Sequence, residues 1–360
     1  MEFVKDIEKS KARFEAWWNN DLVDRPLVHM TCARETPRWP LKKLPDWRKN
    51  PRLRYLDVDY IVDMTENALA SMDYYGDTIP HFARDINTAY LGIFAGADPV
   101  YREEAVWIDP YVDNWENAKR PLFDPGHPVF KKMLEISGAL AANARGRYML
   151  DTPDHLDCIT TMSQMRGVQA LCTDLYDAPA SACRFRDAFI PVWNQSMDFW
   201  AGHDEAGGWD GYTNWGGVYS RKRCGFIQCD FSVMLSPEMA VDFVRPELAA
   251  EAAHLGRAIY HLDGYEQLQH LDWLLEIPGL SAIQWISGSN NPTAADRPET
   301  IRKIQAAGKP VQIIAHMDEV EKLSQLYSPK GVLLWMLWRP GQKQDPALCE
   351  RVMKTVEKWR

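Results

Sequence analysis

Eight short, mostly apolar runs recur along the chain with helical stretches between them, and this alternation constrains the fold more than any other feature. The runs are Leu27 to Thr31, Gly76 to Phe82, Arg147 to Asp151, Phe226 to Asp230, Ile259 to Asp263, Ala282 to Ile286, Val311 to Ala315 and Val332 to Met336. A continuous apolar run suits a strand buried on both faces, and strands of that kind belong to parallel sheets covered by helices. Eight such units predict an α/β protein with a single (β/α)8 barrel spanning residues 1–360, its site at the carboxyl ends of the strands. A doubly wound open sheet is the alternative, but no G-x-G-x-x-G follows the first run to mark a dinucleotide fold.

Several of the runs end in polar residues. In the fifth, Ile259-Tyr260-His261-Leu262-Asp263-Gly264, the strand period of two places His261 and Asp263 on one face, and Gly264 lets the backbone turn sharply beyond them. These two are the first candidates for catalysis, with Asp230 at the end of the fourth run as a third acid or base. Candidate substrate contacts are Asp77, His155, Gln228, Gln312 and His316, with Trp285 and Trp338 as pocket walls. Asp151 and Asp154 are read as caps of the following helix. His261, Asp263 and His316 form a candidate open metal site for zinc or another divalent ion, which would polarise a substrate oxygen or a water. The alternative is a metal-free hydrogen-bonded His261/Asp263 pair that binds substrate. Between Ala201 and Cys224, six glycines interleaved with Trp209, Tyr212, Trp215 and Tyr219 predict an irregular lid over the pocket mouth.

The formal net charge of -9 leaves nothing to neutralise phosphates, which argues against nucleic acid as a partner. There is no apolar run long enough to span a membrane, and the charged Met1 to Lys11 lacks the apolar core of a secretory signal. A soluble, cytoplasmic protein acting on a small molecule is therefore expected, and a homodimer is compatible with all of this. Seven scattered cysteines without a C-x-x-C pair predict reduced thiols rather than a disulfide framework.

Three stretches carry a family resemblance. They are Arg166-Gly167 to Asp174-Leu175-Tyr176-Asp177-Ala178-Pro179, then Gln228-Cys229-Asp230 through Leu235-Ser236-Pro237-Glu238 to Phe243-Val244-Arg245-Pro246, then His261-Leu262-Asp263-Gly264 to Ile277-Pro278-Gly279-Leu280. Over roughly residues 140 to 360 the chain resembles the uroporphyrinogen decarboxylase superfamily. The resemblance implies a TIM-type barrel with a pocket at its mouth. One branch of that family decarboxylates a tetracarboxylate porphyrinogen without a cofactor. Another comprises zinc-dependent methyltransferases that work with a corrinoid (cobalamin) on a partner protein.

The chain departs from both branches. The decarboxylase branch holds substrate carboxylates with two arginines after its first strand, where this chain has Thr31 and an out-of-register Arg34, and Asp77 is the counterpart of its catalytic acid. The methyltransferase branch has H-x-C after strand five and a further Cys after strand eight. Here the pair is His261-x-Asp263, and Trp335-Met336-Leu337-Trp338 has no cysteine. Aspartate for cysteine exchanges a soft sulfur ligand for a hard oxygen, unlike a thiol-activating centre. The preferred expectation is a corrinoid-linked methyltransferase acting on a small methylated compound; a decarboxylase or other carbon-carbon lyase and a non-catalytic ligand-binding barrel are the alternatives.

Overall fold

The computed structural model describes residues 1–288 and 291–360. Eight strands follow the expected alternation: β1 (Leu27–Ala33), β2 (His81–Phe82), β3 (Met149–Leu150), β4 (Gly225–Ile227), β5 (Ala258–Asp263), β6 (Leu280–Ile286), β7 (Val311–His316) and β8 (Val332–Leu337). Parallel ladders join β4, β5, β6, β7, β8 and β1 in that spatial order, so the first strand lies beside the last. β2 and β3 pair with each other in a separate parallel ladder. The layout is compatible with a TIM-like barrel, but the hydrogen-bonded wall does not close.

Two seams interrupt it. Beside β1 the neighbour is an antiparallel segment, Met72–Gly76, and not β2. The second run, expected as one strand over Gly76 to Phe82, is thus divided. Gly76 takes a left-handed φ of +66° that ends the first piece, and Pro80, with no N–H to donate, precedes the two-residue β2. Thr78 replaces the missing ladder with side-chain bonds, accepting from Met30 N at 2.8 Å. At the other seam, between β3 and β4, Asp151 bridges to Thr213, and Thr152 N donates to Thr213 O at 2.8 Å.

Strand register sets which side chains face the barrel axis. Phe226, Ile259 and Ala282 lie in one cross-strand row, and His261, Gln284, Gln312 and Leu333 in the next. The alternate residues, among them Ile227, Tyr260, Leu262, Ile283, Trp285 and Ile313, pack outward against the helices in the main core. Helix Ile7–Trp18 closes the amino end of the barrel, where Phe14, Trp17 and Trp18 pack with Leu27, Ile259, Ala282 and Leu333. Each of these aromatics contributes about 2 kcal/mol or more by leaving water.

The segment expected as a lid packs inward. Ala201 to Ala206 continue the long helix Pro179–Ala206, and Thr213, Asn214 and Gly216 through Ser220 are buried. Gly216 and Gly217 reach the axis because they lack side chains. A Cβ on Gly217 would stand 2.3 Å from the His29 ring, and one on Gly216 would stand 2.6 Å from Phe226. The glycine–aromatic alternation therefore encodes a plug inserted through the seam between β3 and β4.

Candidate active site

At the carboxyl ends of the strands lies an open cleft of about 380 Å³, lined by Ala83, Asp85, Asn87, Asp154, Trp215, Gln228, Asp230, His261 and Asp263. Four of the residues singled out in the sequence, Gln228, Asp230, His261 and Asp263, meet here. Two further carboxylates, Asp85 from the loop after β2 and Asp154 from the loop after β3, join them. No lysine or arginine is among the described lining residues, so the cleft is strongly acidic.

The orientation of His261 follows from a relay of amides beneath it. Gln312 Nε2 donates to the carbonyl of Gly216 at 2.8 Å, and that oxygen can only accept. Gln312 Oε1 is therefore free to accept from Gln284 Nε2 at 2.7 Å, which leaves Gln284 Oε1 facing His261 Nδ1 at 2.5 Å. The relay assigns the proton of the neutral ring to Nδ1 and leaves the lone pair on Nε2, 3.9 Å from Asp263 Oδ2. Trp215 fixes the ring from the side: it stacks on Phe226 with centroids 4.1 Å apart and meets His261 edge-on at 4.9 Å.

The acids crowd one another. Asp85 accepts backbone bonds from Asn87 N and Asp154 N, both at 3.0 Å. Burial still pushes its carboxyl above the usual range, and Asp151 adds to the effect. Asp154 is pushed up to about 7, first by burial and then by the charges of Asp85 and Asp230, against one bond from Leu156 N. Burial raises Asp230, with Asp263 adding and His261 opposing, although the residue as a whole is exposed. Burial and mutual repulsion thus both favour the protonated form of Asp85, Asp154 and Asp230. The two loops that carry Asp85 and Asp154 also hold Asn87 and Leu156 at left-handed φ of 54° and 55°, a strained backbone of the sort found at functional sites.

The other sequence candidates lie elsewhere. Asp77 is fully enclosed near the amino end of β1, where it accepts from Arg25 Nη1 at 2.6 Å, Arg13 Nη1 at 2.9 Å, Ser10 Oγ at 3.0 Å and Val28 N at 3.1 Å. His155 is buried behind the cleft, between Pro153 O (2.7 Å) and Ser196 Oγ (2.8 Å), and burial pushes its pKa down to about 4. It ties the Asp154 loop to helix Pro179–Ala206. Gln312 belongs to the relay under the cleft. Trp285 faces the helices, because its cross-strand partners Leu262 and Ile313 are outward residues. Trp338 donates to Thr31 O at 2.8 Å and does not line the cleft. His316 receives the Glu319 carboxylate on its backbone N–H at 2.8 Å and is likewise outside the lining.

Zinc of the thiolate type does not fit the mouth. No sulfur lines the cleft, and His261, Asp263 and His316 are not among the described residues whose ligand atoms cluster as a metal would require.

No family model matches the sequence, and no curated protein matches it. Among solved structures, a methyltransferase from Methanosarcina mazei superposes with a TM-score of 0.61 at 12% identity, over 97% of this chain and 98% of that one. The likeness is one of fold.

The sequence reading missed Asp85 and gave Asp154 only a capping role. Both lie a few residues beyond β2 and β3, where a barrel collects its site residues. The signal for Asp85 was hidden because β2 has only two residues and no apolar run to announce its end.

Proposed function

We propose that the chain is a methyltransferase that binds a small neutral or cationic methylated compound in the mouth cleft and passes its methyl group to an acceptor presented from outside. The observation that carries this reading is that one cleft is lined both by His261, whose Nδ1 is engaged by Gln284, and by Asp154, a carboxyl pushed up to about 7 by burial and the neighbouring acids. Transfer breaks the bond between methyl carbon and heteroatom. The electron pair stays on the heteroatom, which takes the proton of Asp154, while the acceptor's pair forms the new bond to carbon. His261 Nε2 accepts a hydrogen bond from the substrate and orients it, and Trp215 forms an apolar wall. Asp85 and Asp230 help to hold the proton on Asp154 by their own charge and favour any cationic group on the substrate.

A corrinoid on a separate protein would serve as the methyl carrier. The cleft is too small to enclose a corrin ring, so that group would have to be presented at the rim, where Val233 and Met234 expose an apolar edge in the turn beginning at Asp230. The fold shared with a methyltransferase supports the reading. Decarboxylation of a polycarboxylate has less support, since four aspartates and no described cation would repel it and Asp77 sits elsewhere.

The test supplies reduced free cobalamin as acceptor and a panel of methyl ethers, methyl thioethers and methylamines to the purified protein. At least one compound should methylate the cobalamin faster with protein than without, and His261→Ala should abolish the gain. A panel with no rate above the protein-free control overturns the reading.

A further inference from the structure

Behind the wall of the cleft, between β4, β5 and two helices, lies a second cluster that the proposed chemistry does not use. Asp157 caps helix Cys158–Arg166, accepting from Thr160 N through Oδ1 at 2.6 Å, while its Oδ2 has no partner. Cys229 follows β4 on the outward face. Glu247 and Glu251 stand one turn apart on helix Arg245–Leu255. All four are fully buried. Both Glu247 carboxylate oxygens and Glu251 Oε2 also lack hydrogen-bond partners. An orphaned buried carboxylate is among the costliest groups a fold can hold, and protonation alone does not cure it, because the new O–H needs an acceptor.

The ligand atoms of Asp157, Cys229 and Glu247 all lie within 4.8 Å of one another. Zinc bonds of roughly 2.0–2.3 Å hold tetrahedral ligands about 3.3–3.8 Å apart, so small side-chain rotations would bring the three onto one ion. We propose that Asp157, Cys229 and Glu247 bind a structural divalent metal of the zinc class. One thiolate and two carboxylates supply three ligands, a second oxygen of either carboxylate can fill the remaining position, and the absence of solvent exposure at every ligand marks a closed, non-catalytic site. The site is distinct from the mouth, yet adjoins it: Cys229 lies between Gln228 and Asp230, and Asp157 lies three residues beyond Asp154. A metal here would pin the two strand exits that carry the cleft's acids.

The experiment unfolds the full chain in denaturant with a chelator, removes both, and refolds it with no metal, with Zn²⁺ or with Co²⁺. Refolding is used because a closed site loads as the chain folds. The expected result is about one equivalent of zinc retained through gel filtration and an unfolding midpoint raised by about 5 °C or more over the metal-free protein. Cobalt should give a near-ultraviolet thiolate charge-transfer band, since Cys229 is the sulfur ligand and none lines the mouth. That band should survive His261→Ala and Asp263→Ala and vanish in Cys229→Ser. Retention below a tenth of an equivalent, or cobalt retained by the wild-type chain without the band, overturns the proposal whether or not the Cys229 variant folds.

Discussion

Asp154 carries the clearest consequences at the scale of single residues. Its carboxyl is held at about 7 against an ordinary 3.8, so the folded state prefers the protonated form. The stability this group contributes is complete below about pH 4 and is lost as pH rises through about 7. Asp154→Asn should therefore flatten the stability curve between those limits and be at least as stable as the parent at pH 8 by urea unfolding. Turnover should fall by about 10²- to 10⁴-fold, as for loss of a general acid. A variant less stable than the parent at pH 8 would contradict the assignment. Beneath it, Gln284→Leu removes the acceptor that fixes the His261 tautomer. Turnover should drop by roughly 10- to 100-fold, the usual effect of losing an orienting partner, with a circular dichroism spectrum unchanged.

At the scale of elements, the sequence pattern was informative where strands are long and buried on both faces, as β5 to β8 are, because a continuous apolar run bounded by turn residues suits little besides a strand covered on both sides. It failed at β2, whose two residues lie between a reversed segment and a loop. It also placed Trp285 in the pocket, since inward or outward parity is decided by register with the neighbouring strand, which one chain segment does not contain. Gly216 and Gly217 were legible as unusual but not as interior. Their freedom from side chains serves close approach to His29 and Phe226, not exposure. Gly217→Ala combines a left-handed φ of +69° with a clash against a buried ring and should destabilise the fold by about 3 kcal/mol or more in urea titration.

For the whole molecule, the two ends of the barrel divide the work. The carboxyl end gathers acids with no lysine or arginine among the described lining residues, whereas the amino end pairs Asp77 with two arginines under the first helix. Asp77→Ala would strand Arg25 in a buried setting, while Arg13 keeps its pair with Asp24, and should cost about 3 kcal/mol of stability. The folded fraction should keep its substrate KM, which separates this structural role from the substrate contact expected of Asp77 in the sequence. No helix among the described residues is long and apolar enough to cross a membrane. Of the four cleft residues recovered from sequence, His261 and Asp263 lie on β5, whose side-chain direction a period of two dictates, and Gln228 and Asp230 follow directly on β4; Asp85 and Asp154 come from loops, where only the assembled fold brings them together.

The plug has a temporal meaning as well. Gly216 and Gly217 touch His29 near the start of the chain and Gln284 and Gln312 near its end, so their seat does not exist until distant strands have met. Docking of the plug therefore follows the pairing of those strands. Trp215, beside them and stacked on Phe226, should report that arrival: after dilution from urea, its fluorescence change should lag behind the recovery of secondary structure, and Trp215→Phe should erase the lagging phase. The barrel would then be assembled around an empty axis and stoppered last, so the order in which this chain finishes folding is written in the one segment that passes through its wall.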